Sequence, residues 1–145
     1  MSDRRLRLAI AGLALGGAAI AAYLSFTRIT DVALICPTSG CAAVQHSSYS
    51  ELGGVPNAYL GFLAYVAIFI TTLSRAPLLV RAGAVLALGA VGYAIYLLVV
   101  QLVVIDAVCT WCVASDAVVL TVAAACVART LSRSHQKKAP VEIST

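Results

Sequence analysis

Charge is what this chain has least of. Acidic and basic residues together fill 11% of its 145 positions, less than half the usual share of about a quarter, and only six are acidic. With 61% apolar residues and a mean hydropathy of +0.97, that scarcity excludes an ordinary water-soluble domain. No apolar run carries paired charges along a path, which weighs against a transporter. The basic residues gather at the ends of apolar runs instead of forming a stripe, which weighs against a nucleic-acid surface. The chain is also too short for more than a handful of membrane crossings, so it reads as one small all-α integral membrane domain.

Four apolar runs supply the spans, expected at about residues 6–26, 57–74, 78–105 and 109–128 of a single domain covering 1–130. The first follows Arg4, Arg5 and Arg7, the order found in a secretory signal peptide. It is nevertheless long enough to cross about 30 Å of hydrocarbon, and no small-residue cleavage site follows it. Gly12 and Gly16 within it suggest a face for close helix packing, as do Gly83, Ala87, Gly89 and Gly92 in the third run. Pro56 is placed at the first turn of the second helix, and the third run exceeds what the bilayer needs. Residues 131–145 are expected to be a disordered tail.

Basic residues fix an expected orientation. Three precede the first span, two lie between the second and third, and four follow the last, whereas Arg28 stands alone on the other side. The positive-inside rule then puts both termini in the cytoplasm, in a cell membrane, and the long loop between the first two spans outside. That loop holds Cys36-Pro37-Thr38-Ser39-Gly40-Cys41, whose insert reads as a turn with Gly40 free to take a positive φ. Residues 42–51 could form a short amphipathic helix on the membrane surface.

Five cysteines make two pairs and one remainder. Cys109-Thr110-Trp111-Cys112 sits where a polar break at Gln101 and Asp106 gives way to the last apolar run. A helix starting there aims its unpaired N–H groups at the sulfurs and holds a reactive thiolate. By the orientation above both pairs face one oxidising compartment, so electrons could pass from a soluble dithiol to Cys36/Cys41, on to Cys109/Cys112, and out to a lipid-soluble quinone. Cys126 reads as a buried structural thiol, and Trp111 as an interfacial aromatic that could also wall the quinone pocket. Asp116, an ionisable group within the span, is a candidate site residue.

The Cys-x-x-Cys before the last of four spans, the first-loop pair, Ser47 six residues past Cys41, and Gly54-Val55-Pro56-Asn57-Ala58-Tyr59-Leu60-Gly61 together resemble the vitamin K epoxide reductase family, in its prokaryotic branch. The resemblance covers nearly the whole chain. It implies a four-transmembrane-helix bundle around a quinone pocket at the outer face, with a cysteine-bearing extracytoplasmic loop between helices 1 and 2. It also implies oxidation of a separate thioredoxin-like partner in support of disulfide formation. By position, Cys36 is implied to exchange with the partner, Cys41 to attack Cys109, and Cys112 to react with the quinone. Asn57 is implied to anchor a quinone carbonyl, and Ser47 to tune the loop pair. The loop insert is shorter than in the animal enzymes, and Asp116 stands where those have a quinone-contacting tyrosine.

Two other readings compete. Four cysteines with His46 could ligate zinc in a structural or sensor protein, although the expected site holds no metal. The other type of four-helix quinone-linked disulfide oxidase carries its Cys-x-x-Cys in the first loop, the reverse of the order here.

Overall fold

The computed structural model describes residues 2–138, most of them helical. Helix α1 runs Asp3–Thr30. A short α2, Gly40–Gln45, is followed by a 3-10 turn at Ser48–Ser50 and by strands β1, Glu51–Leu52, and β2, Val55–Pro56. Then come α3, Asn57–Leu73, α4, Pro77–Val99, a π-helical turn at Val100–Ile105, and α5, Thr110–Lys138. Three helical stretches, Asp3–Thr30, Pro77–Ile105 and Thr110–Gln136, are long and apolar enough to cross a membrane, and α3 is a shorter apolar helix. The protein is an all-α membrane protein.

Burial follows the helical period. Along α1, Leu6, Ile10, Ala14, Ala18, Ala21 and Leu24 are buried against α3 and α5, while Leu8, Leu15 and Phe26 are exposed where lipid is the solvent. Helix α4 closes the bundle against α3 and α5. Ile10, Ala14, Tyr65, Ile68, Ala87, Val122 and Cys126 share the core, so Cys126 packs as a small apolar residue. Close approach falls only in part at the positions expected. Gly12 and Gly16 face open space, whereas a Cβ on Gly17 would run into the Tyr65 ring. The small-residue signal marked the right helix and the wrong face of it. In the third run Gly83 packs on Thr71, but Gly89 and Gly92 have open space beside them.

One end of the bundle is tied by arginines. Arg129, 2% exposed, donates to Asp3 and to the carbonyls of Thr72 and Ser74. Arg133 reaches Asp3 and the Arg75 carbonyl, and Arg7 reaches the carbonyls of Thr72 and Leu73. These donors satisfy the carbonyls that the C-terminus of α3 leaves without helical partners. They also correct the expected tail: α5 continues past residue 128 to Lys138 because its added turns are docked, and a docked helix is stable where an isolated one is not. Residues 139–145 lie outside the described region.

At the other end the long loop is ordered by local chemistry. Residues 42–51 do not form one surface helix: α2 starts earlier, at Gly40, and ends at Gln45. Gly53 and Gly54, with φ of 60° and 84°, make the two-residue turn of a hairpin that pairs Glu51 with Pro56. Pro56 therefore closes the hairpin just before α3 and is not in its first turn. Arg28 at the end of α1 pairs with Glu51 at 2.8 Å and meets His46 Nδ1 at 3.3 Å, fastening the hairpin to the bundle.

Candidate functional site

Cys36 and Cys41 are joined by a disulfide, with Cα atoms 6.3 Å apart. Cys36 is half-buried and next to the exposed Ile35, whereas Cys41, on the first turn of α2, is 1% exposed. The turn between them lies directly on the start of α5. A Cβ on Gly40 would overlap the backbone of Val108, so glycine is required here for close approach. Its φ is not positive; the expected left-handed turn is absent because Gly40 already begins α2. The Thr38 hydroxyl lies 2.9 Å from that of Thr110 and 3.3 Å from the Val108 carbonyl. Trp111 Nε1 donates to the Ile35 carbonyl at 2.8 Å, and its ring meets Tyr23 edge-on at 5.5 Å. The residues flanking one cysteine pair thus touch those flanking the other.

Cys109 and Cys112 are free thiols. Cys109 is fully buried at the head of α5, just outside the span, and its N–H donates to Gln101 Oε1 at 2.9 Å. Gln101, itself buried, is brought to this place by the π turn that widens the end of α4, which stops at Asp106 in the left-handed region. The Cys112 thiol lies 2.7 Å from Cys109 Sγ, and the Cys112 N–H donates to the same sulfur at 3.3 Å. Donation from the Cys112 thiol, helped by the Cys112 and Trp111 amides, outweighs burial and holds the Cys109 thiol below the ordinary range.

Beneath this pair a cavity of about 300 Å³ opens among α1, α3, α4 and α5. Its walls are chiefly apolar, and its polar edge is formed by Asn57, Tyr93, Gln101, Cys112, Ser115 and Asp116. The Asn57 amide donates to the Tyr49 carbonyl at 2.7 Å and accepts from Tyr93 at 2.8 Å, which leaves one N–H uncommitted. Asp116 Oδ2 is buried without a hydrogen-bond partner. Ser47 lies on the cavity wall, but its hydroxyl donates to the Val44 carbonyl within its own turn.

The structure thus brings Cys112, Asn57 and Asp116 to one cavity and sets Cys41 and Cys109 in two segments that touch. It does not bring Trp111 to the cavity wall, because the indole is turned toward the loop. Among the described residues no three His, Cys, Asp or Glu side chains converge as metal ligands, and Arg28 engages His46. A model of the vitamin K epoxide reductase family matches residues 8–127, from the first turns of α1 to near the end of the apolar part of α5. The chain belongs to the vitamin K epoxide reductase family. No individual curated protein matches it.

As a member of the vitamin K epoxide reductase family it is a membrane thiol–disulfide oxidoreductase from a quinone-associated family, and the resemblance carried by its cysteine layout is borne out. Several site residues of this vitamin K epoxide reductase relative were not singled out in the sequence. Tyr93 and Tyr65 lay inside apolar runs and read as span residues. Tyr65 donates to Ser115 and so fixes α5 beside the cavity. Gln101 was visible only as a polar break, and Thr38 only as part of a turn. An isolated polar residue in an apolar run was the available signal; its partner is set by the fold.

Proposed function

We propose that the protein is a quinone-dependent thiol–disulfide oxidoreductase of the cell membrane. It spans the membrane four times, α3 included, with both termini cytoplasmic and both cysteine pairs outside. It oxidises a thioredoxin-like dithiol and so supports disulfide formation. The observation that carries this reading is the seating of the Cys36/Cys41 turn on residues 108–111 through Gly40, Thr38 and Trp111. Two thiol couples on segments that touch, one reaching outward and one bordering an apolar cavity, form a relay.

The relay balances as two-electron, two-proton exchanges. A partner dithiol attacks at Cys36, the more accessible sulfur, and leaves as a disulfide while Cys36 and Cys41 become thiols. Cys41 then attacks Cys109 of a closed Cys109–Cys112 disulfide and expels Cys112. Cys36 attacks Cys41, and Cys109 leaves as a thiolate, which its lowered pKa favours. This leaves the loop pair closed and the inner pair open. A quinone, when bound, supplies an acceptor for two electrons and two protons. The cavity fits such a group: it is apolar, at the small end of ligand pockets, and Asn57 offers a spare N–H. Asp116 Oδ2, the orphaned oxygen, accepts the proton that Cys112 releases.

The test is anaerobic mixing of purified protein with a reduced thioredoxin-like protein and a soluble quinone, following quinone absorbance. Turnover is expected to stop in Cys112→Ala and to persist in Cys126→Ala. Asp116→Asn is expected to slow it by about 100-fold, the usual contribution of a positioned proton acceptor. Full turnover in Cys109→Ala would show that the order of the cysteines is wrong.

A further inference from the structure

A second cavity, of about 280 Å³, lies at the opposite end of the bundle, between the first turns of α1 and the last turn of α3. Arg4, Arg7 and Arg75 line it together with Leu8, Ala11 and Leu73, and its one carboxylate is Asp3. That carboxylate is committed elsewhere: Arg129 holds it at 2.9 Å and Arg133 at 3.3 Å. Arg7 is pinned by the carbonyls of Thr72 and Leu73, leaving part of its guanidinium free. Among the described residues Arg4 and Arg75 donate no side-chain hydrogen bond. Three arginines therefore line one hollow whose only carboxylate among the described residues is already paired. The floor below them is apolar, and Leu8 and Leu73 continue it outward at 64% and 55% exposure, onto the surface facing lipid.

We infer that this cavity binds the phosphate of an anionic phospholipid, with Arg4, Arg7 and Arg75 around the headgroup and one acyl chain laid over Leu8, Ala11 and Leu73. A basic pocket between membrane helices is suited to such a headgroup, and the planar guanidinium matches phosphate oxygens in pairs. The apolar floor selects a lipid over a free phosphate, because a small hydrated anion gains nothing from covering Leu73. The site is independent of the thiols and lies at the far end of the helices that carry them.

The experiment is native mass spectrometry and thermal unfolding of the full chain in micelles doped with phosphatidylglycerol, with phosphatidylcholine, or with glycerol phosphate alone. Saturable retention of phosphatidylglycerol with a raised unfolding temperature is expected, and neither comparator should reproduce it. Arg4→Gln with Arg75→Gln should weaken retention by about fivefold per guanidinium removed, the scale for a basic residue at an anionic surface. Arg5→Gln with Arg81→Gln removes equal charge at the same end from positions outside the cavity and should change little. Equal retention of both lipids by the unaltered protein would overturn the site without need of any variant. So would equal binding of glycerol phosphate, or equal losses in the two double variants.

Discussion

Cys109 owes its reactivity to neighbours one turn away. With the Cys112 thiol and two amides donating to its sulfur, its thiol is held below the ordinary range. Ionisation in the reduced protein should therefore rise at a lower pH than for an ordinary thiol, and Cys112→Ala, which removes the largest of these donors, should move the rise upward toward the ordinary value. Thiolate ultraviolet absorbance against pH reads both. Asn57 bridges the hairpin and α4 through Tyr49 and Tyr93 while keeping one N–H for the cavity. Asn57→Ala should raise KM for a soluble quinone by roughly tenfold with both disulfides still able to form, in line with the loss of one or two hydrogen bonds. The cysteine pairs and Asp116 stand out in the chain by residue type and near spacing, and Asn57 through the family resemblance. The roles of Gln101 and Tyr93 do not, because the Cys109 amide and Asn57 reach them only across the fold.

At the scale of elements, the turn carrying the loop disulfide fits the start of α5 through a glycine contact. Gly40→Ala should force that turn away from Val108, at a cost of about 1–3 kcal/mol for overpacking. Stopped-flow exchange between the two pairs should slow, while direct reoxidation of Cys109/Cys112 by quinone stays near its usual rate. Equal slowing of both steps would mean that the turn does more than position Cys41. At the far end, Arg129 binds α5 to α1 and α3 at once. Arg129→Leu strips a buried charge from Asp3 and leaves two carbonyls short of a donor, so it should lower stability by about 3 kcal/mol, visible as an earlier thermal transition in detergent. Helix positions were legible from apolar run length. The length of α5 was not, since Arg129 and Arg133 read as flanking charge until Asp3 and the end of α3 are beside them. The Gly53-Gly54 hairpin was passed over because its strands are two residues each, too short for any alternation to show.

For the molecule as a whole, hydropathy foretold a membrane bundle, and the vitamin K epoxide reductase resemblance foretold the family. What neither gave was which faces meet: Gly17, not Gly12 or Gly16, admits Tyr65, and that choice depends on a ring from another helix. Helix α5 is one uninterrupted rod of 29 residues, on the order of 43 Å, bearing the inner sulfurs at its tip and the buried Arg129 near its base. A rod clamped at its foot has little axial play. In the proposed relay Cys109 and Cys112 are therefore the fixed jaw, and any travel between a partner and Cys109 falls to the short tether on which Cys36 and Cys41 ride.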